Sequence, residues 1–146
     1  MLVAAILKQK PPGFFSVSPD LTVAGVAAVL AEKNIGAVLV LDGDRLSGIL
    51  SERDIVRAMA RQGAAALDLP ASALMTRKLV TGTPDTSIEQ AMEMMTSGHF
   101  RHLPILAEGR LIGLVSIGDV VKARIEQSQH EVESLRTYVT GGAPRL

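Results

Sequence analysis

From Leu21 to Lys33 the apolar positions Val23, Val26, Ala27 and Leu30 recur at helical spacing behind Thr22, a residue suited to an N-cap, so the segment reads as an amphipathic helix. The apolar run Ala37-Val38-Leu39-Val40-Leu41, the turn Asp42-Gly43-Asp44-Arg45 and the run Leu46 to Leu50 then read as a β-hairpin, and another helix follows. The same order returns downstream. A helix begins at Ser87, with Gln90 three residues on to close a capping box and Ile88, Ala91, Met92 and Met95 on its buried face. Leu103-Pro104-Ile105-Leu106 and Leu111 to Val115 flank Ala107-Glu108-Gly109-Arg110 as a second hairpin, and a helix closes the series. Pro104 has no N–H for a ladder and is expected at a strand start or on an open edge. Met1 to Leu7 reads as a packing helix. The alanine-rich stretch Gln62 to Ser72, with Gly63 and Pro70, reads as a linker, and Gly141-Gly142-Ala143-Pro144 as the end of the ordered chain.

The recurrence extends to residue identities. Gly48-Ile49-Leu50-Ser51-Glu52-Arg53-Asp54 returns as Gly113-Leu114-Val115-Ser116-Ile117-Gly118-Asp119, and 113 − 48 = 65. The same offset pairs Pro19 with Pro84, Asp20 with Asp85, Arg45 with Arg110 and Val56 with Val121. The chain therefore reads as an α+β protein made of two copies of a helix–strand–strand–helix unit, residues 8–66 and 74–128, with a helical extension over 129–140. A unit of about 60 residues is marginal alone, so the copies are expected to share one body. The final helix places Val121, Ile125, Ser128, Val132, Leu135 and Val139 at alternating spacings of four and three. That pattern fits either a helix lying back on its own domain or a homodimer contact.

Composition removes several function classes. Lys+Arg and Asp+Glu both total 15, no helix shows a basic stripe and aromatic residues are 3%, which excludes a field or stacking surface for nucleic acid. With no cysteine there is no disulfide framework and no thiol nucleophile, which fits the cytoplasm. Lys8 and Lys10 stop the N-terminal apolar run well short of the ~20 residues of a membrane span. Gly-x-x-x-x-Gly-Lys, Gly-x-Gly-x-x-Gly and Gly-x-Ser-x-Gly are all absent and the three histidines form no triad order, so an enzyme is not expected. His99 and His102 lack a third ligand at metal-binding spacing, so no metal is expected. Met92, Met94 and Met95 read as deformable core.

Ser51-x-x-Asp54 and Ser116-x-x-Asp119, each opening an apolar helix, are capping boxes on the simplest reading, worth about 1 kcal/mol apiece. Gly48 and Gly113 stand three residues ahead, where a missing side chain lets something approach the backbone. A strand end leading into a helix N-terminus offers N–H groups and partial positive charge to a phosphate, and an ionised aspartate accepts from a vicinal diol. On the second reading, the pair of motifs spells nucleotide.

Both motifs, in register with Ser18-Pro19-Asp20, Thr83-Pro84-Asp85 and Arg101-His102-Leu103-Pro104, resemble a tandem pair of CBS (cystathionine β-synthase) domains, a Bateman module. The resemblance implies two units packed about a pseudo-twofold axis through their sheets, with clefts that accept AMP, ADP, ATP, S-adenosylmethionine or related adenosyl ligands as regulatory ligands rather than cofactors. It implies Asp54 and Asp119 as ribose ligands and Ser51 and Ser116 as phosphate contacts. It maps Ser16, Val17 and Ser18, and Val80, Thr81 and Gly82, to the adenine and ribose lining. Ile35, Gly36 and Ala37, and Phe100, Arg101, His102, Leu103 and Pro104, are mapped to the adenine pocket. Arg101 has no cationic counterpart in the first copy, so unequal sites are expected. The implied role is a sensor that signals to a separate effector or through a homodimer; the alternative is a ligand-free dimerisation scaffold whose Ser-x-x-Asp boxes are caps.

Overall fold

The computed structural model describes residues 1–137. Val139, residues 138–140 of the expected extension and the Gly141-Gly142-Ala143-Pro144 terminus lie outside them. The chain divides into two units, Gly13–Val80 and a second made of Met1–Pro12 with Thr81 onward.

In the first unit β1 (Ser16–Val17), α2 (Val23–Lys33), β2 (Ala37–Asp42), β3 (Arg45–Ser51) and α3 (Glu52–Gln62) are followed by a 3₁₀ helix (Gly63–Asp68) and the short α4 (Ala71–Leu74). The second unit holds α1 (Val3–Gln9), α5 (Ile88–Gly98), β4 (His102–Ala107), β5 (Arg110–Ser116) and α6 (Ile117–Thr137). The helices α2 and α5 start where their caps dictate. Thr22 accepts the Gly25 N–H at 3.1 Å, and Ser87 and Gln90 close their capping box in both directions, at 3.0 and 2.9 Å. Both helices end on a left-handed residue, Asn34 (φ 53°) and His99 (φ 55°), after which the Ile35 and Phe100 N–H groups turn back to the Leu30 and Met95 carbonyls.

The 65-residue period survives in the pairing of strands. Ala37 faces Ser51 and His102 faces Ser116; Val17 pairs with Val40 and Gly82 with Ile105; the antiparallel registers slip at Val40/Leu41 and at Ile105/Leu106. The outer strand is shorter in the second unit, where an isolated bridge at Gly82 stands in place of β1, and the turns differ. Gly43 alone takes a positive φ in the first, the type II′ pattern, whereas Glu108 (52°) and Gly109 (78°) both do in the second, the type I′ pattern. Pro104 lies on an edge as expected. Its carbonyl accepts the Gly82 N–H on the side away from β5, so its missing N–H faces that edge as well.

The alternating and helical apolar positions fill one core per unit. Val23, Val26, Leu30, Val38, Val40 and Leu50 are buried together in the first, and Ile88, Ala91, Met95, Leu103, Ile105 and Val115 in the second. A fully buried side chain of this kind contributes about 1.5–3 kcal/mol. The stretch Gln62 to Ser72 is not a linker. Ala66 and Ala71 are fully buried, and the segment clasps the start of α2 through Val23 N–H to the Leu69 carbonyl (2.8 Å) and Ala71 N–H to the Leu21 carbonyl (2.7 Å). Small alanines fit where α3 turns back, so a composition typical of loops builds core.

The lead-in of each repeat completes the other repeat's unit. Leu2 bridges Ser87 as Pro70 bridges Thr22, and the Ala4 N–H reaches the Pro84 carbonyl as the Ser72 N–H reaches that of Pro19. These lead-ins correspond at an offset of 68, since 70 − 2 = 72 − 4 = 68, three residues longer than the main period.

Candidate functional site

Ser51 ends β3 and caps α3; Ser116 ends β5 and caps α6. Asp54 Oδ2 accepts the Ser51 N–H (2.9 Å) and the Ser51 hydroxyl (2.9 Å), while Ser51 Oγ accepts the Asp54 N–H at 3.3 Å. Asp119 Oδ2 accepts the Ser116 N–H (2.8 Å), and Ser116 Oγ accepts the Asp119 N–H at 3.1 Å. Both motifs are closed capping boxes. The first amide of each helix is also committed, Glu52 N–H to the Gly36 carbonyl (3.0 Å) and Ile117 N–H to the Arg101 carbonyl (2.8 Å). Of the helix-opening amides expected to face a phosphate, those of Arg53 and Gly118 meet no acceptor among the described residues. Neither Asp54 nor Asp119 uses its Oδ1 in a hydrogen bond there.

The two glycines serve the fold rather than a visitor. A Cβ on Gly48 would stand 2.8 Å from Met75 Sδ and 2.8 Å from the Thr76 carbonyl oxygen; one on Gly113 would stand 2.8 Å from Leu7 Cδ2. Met75 and Leu7 are equivalent at the lead-in offset, 75 − 7 = 68, so in both units the neighbouring repeat's lead-in fills the place where a ligand was expected to approach.

The second unit adds a cation that sequence reading missed. Lys10, just past α1, places its Nζ 2.8 Å from Asp119 Oδ2 and 2.8 Å from the Leu114 carbonyl oxygen. Burial pushes the Asp119 carboxyl up, but the hydrogen bonds from Lys10 and from the Ser116 N–H and hydroxyl, with the Lys10 charge, outweigh it and hold the group below its ordinary value. The counterpart of Lys10 is Lys78 (78 − 10 = 68), which is exposed and makes no ion pair with Asp54. Aligning Met1–Lys10 with Leu69–Lys78 was the signal available in the sequence. It is faint, resting on Ala5 with Ala73 and Lys10 with Lys78, and the 65-residue register hides it.

The remaining expected residues separate into surface and core. Ile35 and Gly36 are half-buried at the entry to β2, beside Ser51 through the Ala37–Ser51 pair. Arg101 is exposed beside the start of α6, and His102, half-buried, faces Ser116 across the hairpin. Phe100 packs on the core of its unit. Val17, Ala37, Leu103 and Pro104 are buried, with Val17 and Leu103 in the two core clusters, so their side chains hold the fold. Ser16 and Ser18 are exposed, but β1 runs parallel to β2 and carries Ser18 toward the hairpin turn, away from Ser51. Val80 and Thr81 are exposed, whereas Gly82 is buried and bonded to the Pro104 carbonyl and the Leu106 N–H. Because Val17 and Gly82 occupy equivalent places, the two expected lining segments stand one residue out of step: Val80 to Gly82 match Phe15 to Val17. An open depression of about 440 Å³ in the first unit lies at that turn end, among Pro19, Asp42, Arg45, Ser72 and Arg77. The described residues contain no cluster able to hold a metal ion and no helix long and apolar enough to cross a membrane.

Two copies of an α+β unit, each with a strand end leading into a Ser-x-x-Asp helix start, define the class: a duplicated module with one motif per copy. The CBS domain family model matches residues 4–61 and 71–126, and the chain belongs to that family. It is 36% identical over 128 residues to the CBS domain-containing protein CBSX3, mitochondrial, of Arabidopsis thaliana, a stretch covering 84% of this chain and 62% of that one. The crystal structure of the CBS-domain containing protein ATU1752 from Agrobacterium tumefaciens superimposes with a TM-score of 0.83 at 43% identity, covering 85% of this chain and 99% of that one. The CBS domain pair of protein MJ0100 shares the fold, with a TM-score of 0.76 at 23% identity over 87% of this chain and 98% of that one. The chain is thus a CBS-pair module of the regulatory kind.

Proposed function

We propose that this module binds an adenosyl ligand of the AMP, ADP, ATP or S-adenosylmethionine type at its Ser-x-x-Asp motifs and passes occupancy on to a partner or through its own oligomer, without catalysing a reaction. The observation that supports it is the duplicated motif itself. Each copy keeps one carboxylate oxygen and the second helical amide uncommitted at a strand end, an acceptor for a diol beside a donor for a phosphate. The CBS pair of MJ0100 was crystallised with methylthioadenosine and S-adenosylmethionine, adenosyl compounds of the same class. Ligand occupancy has regulatory force through its unequal affinity for two arrangements of the chain. The cysteine-free chain suits a reducing compartment, and the cytoplasm is the proposed location.

The copies are unequal in a way that sharpens the test. Asp119 already holds Lys10, whereas Asp54 has no cation among the described residues. A neutral ligand end such as ribose therefore meets less competition at Asp54, and a polyphosphate gains from Lys10 and Arg101 at the second motif. Calorimetric titration with AMP, ATP and S-adenosylmethionine tests this. A charge-assisted hydrogen bond of about 1.5–3 kcal/mol corresponds to a roughly 10- to 150-fold loss of affinity in Asp54→Asn or Asp119→Asn, at the copy that binds. Heat with none of the three ligands would favour the second reading, a dimerisation scaffold, which the closed capping boxes and filled glycine sites support on their own.

A further inference from the structure

The two lead-ins end differently. α4 stops at Leu74, so the first unit's lead-in is extended at Thr76 and bridges Ile49 in both directions, Ile49 N–H to the Thr76 carbonyl (3.1 Å) and Thr76 N–H to the Ile49 carbonyl (2.8 Å). α1 is still helical at Lys8, the equivalent of Thr76 (76 − 8 = 68), and ends only at Gln9. Its N–H there is committed to the preceding helical turn and cannot form the same bridge. The carbonyl of Leu114, the equivalent of Ile49 (114 − 49 = 65), accepts Lys10 Nζ instead, at 2.8 Å. The same ammonium reaches Asp119 Oδ2 at 2.8 Å. Lys10 thus does with a side chain what the first unit does with backbone, and in doing so it takes the carboxylate of the second motif. Lys78, carried past an extended bridge, is exposed and pairs with no acid among the described residues.

Asp119 Oδ2 already meets two donors, the Ser116 N–H and Lys10, which fills the capacity of one carboxylate oxygen and leaves only Oδ1 open. A vicinal diol that engages both oxygens must remove one of those donors. The Ser116 N–H is fixed by the helix cap, whereas Lys10 is a half-buried ammonium on a flexible stem. In the first motif the second donor is the Ser51 hydroxyl, which rotates away without parting an ion pair. Resting on the reading of these motifs as adenosyl sites, we propose that Lys10 is a built-in competitor that makes the first motif fill before the second: an adenosine diol gains the whole Asp119 carboxylate only by displacing the Lys10 ammonium, which also releases the Leu114 carbonyl and the end of α1. A partly exposed pair of this kind lowers affinity by a roughly 2- to 5-fold factor, and salt, which screens the pair, reduces that factor.

Adenosine, which carries no charge, is the probe. In an Asp54→Asn background, where the first motif is disabled, Lys10→Met is expected to tighten adenosine roughly 2- to 5-fold by calorimetric titration. Lys78→Met should leave that affinity unchanged and Lys10→Arg should keep it weak. Raising sodium chloride from about 0.05 to about 0.5 M should tighten adenosine in the Asp54→Asn protein and not in its Lys10→Met derivative, a response that packing alone does not give. Circular dichroism confirms that each variant is folded. An adenosine affinity that Lys10→Met leaves unchanged or weakens overturns the proposal, and the adenosyl reading survives that result if Asp119→Asn still lowers affinity. Adenosine that fails to bind, or that binds regardless of Asp54→Asn and Asp119→Asn, overturns both.

Discussion

Replacing Gly48 by alanine would set a Cβ 2.8 Å from the Thr76 carbonyl oxygen and 2.8 Å from Met75 Sδ. The oxygen is backbone, held by reciprocal Ile49–Thr76 hydrogen bonds of 3.1 and 2.8 Å, so the lead-in must shift by several tenths of an ångström or lose those bonds. Overpacking of a well-filled site costs about 1–3 kcal/mol, and a rigid obstacle places Gly48→Ala in the upper half of that range even after the ~0.4–1 kcal/mol that alanine gains through the unfolded chain. Gly113→Ala meets Leu7 Cδ2, the tip of a flexible side chain that can rotate away, and should lose about 1 kcal/mol or less. At ~2–4 °C per kcal/mol for a chain of this size, the first variant should melt roughly 4–12 °C below wild type and the second within about 4 °C of it. Calorimetric or circular-dichroism melting of both variants, with and without AMP, decides the matter. Equal melting shifts, or a Gly48→Ala protein of undiminished stability that has lost only AMP affinity, would refute the assignment of these glycines to the lead-in contact.

Three other substitutions probe separate features. Lys10→Met removes the Asp119 ion pair, whose side chains are 35% and 26% exposed, so a screened loss of about 0.5–1 kcal/mol is expected near neutral pH. Because Asp119 is depressed in the folded state, its contribution is fully present above the unfolded value of about 4 and is lost as pH falls through the lower folded value, so the difference between wild type and Lys10→Met should shrink as the solution is acidified below that unfolded value; a gap in urea midpoints that is the same at every pH would contradict the ion pair. Glu108 sits at φ 52° in a turn that favours asparagine or glycine, and Glu108→Asn should raise the melting temperature slightly, by about 0.5 kcal/mol or less in stability. Ala66→Gln, harmless in a solvated linker, should cost upwards of about 2 kcal/mol by forcing a polar side chain into a fully buried site, as read from chemical denaturation.

What was legible in the sequence followed from local chemistry repeated twice. The Thr22 and Ser87 caps, the two hairpins and the edge position of Pro104 each depend on neighbours a few residues away, and duplication doubled the signal. What was not legible depends on residues far apart in sequence. Gly48 and Met75, or Asp119 and Lys10, meet only because each lead-in joins the other repeat's unit, and the three extra residues between the first lead-in and β1 move that correspondence out of the dominant register. Ala66 and Ala71 show a further limit: alanine carries no periodic signature that separates a solvated linker from a closely packed corner. The serine–aspartate pairs were legible as residues but not as states, since a capping box and a nucleotide clamp use the same atoms.

The central claim is that those pairs hold adenosine, and a crystal structure grown with millimolar AMP tests it most directly. The account predicts ribose hydroxyls within hydrogen-bonding distance of the Asp54 or Asp119 carboxylate and phosphate oxygens at the Ser51 or Ser116 end of the same helix. Motifs that remain closed on their own N–H groups, with Lys10 still on Asp119 and AMP absent or bound elsewhere, would contradict it.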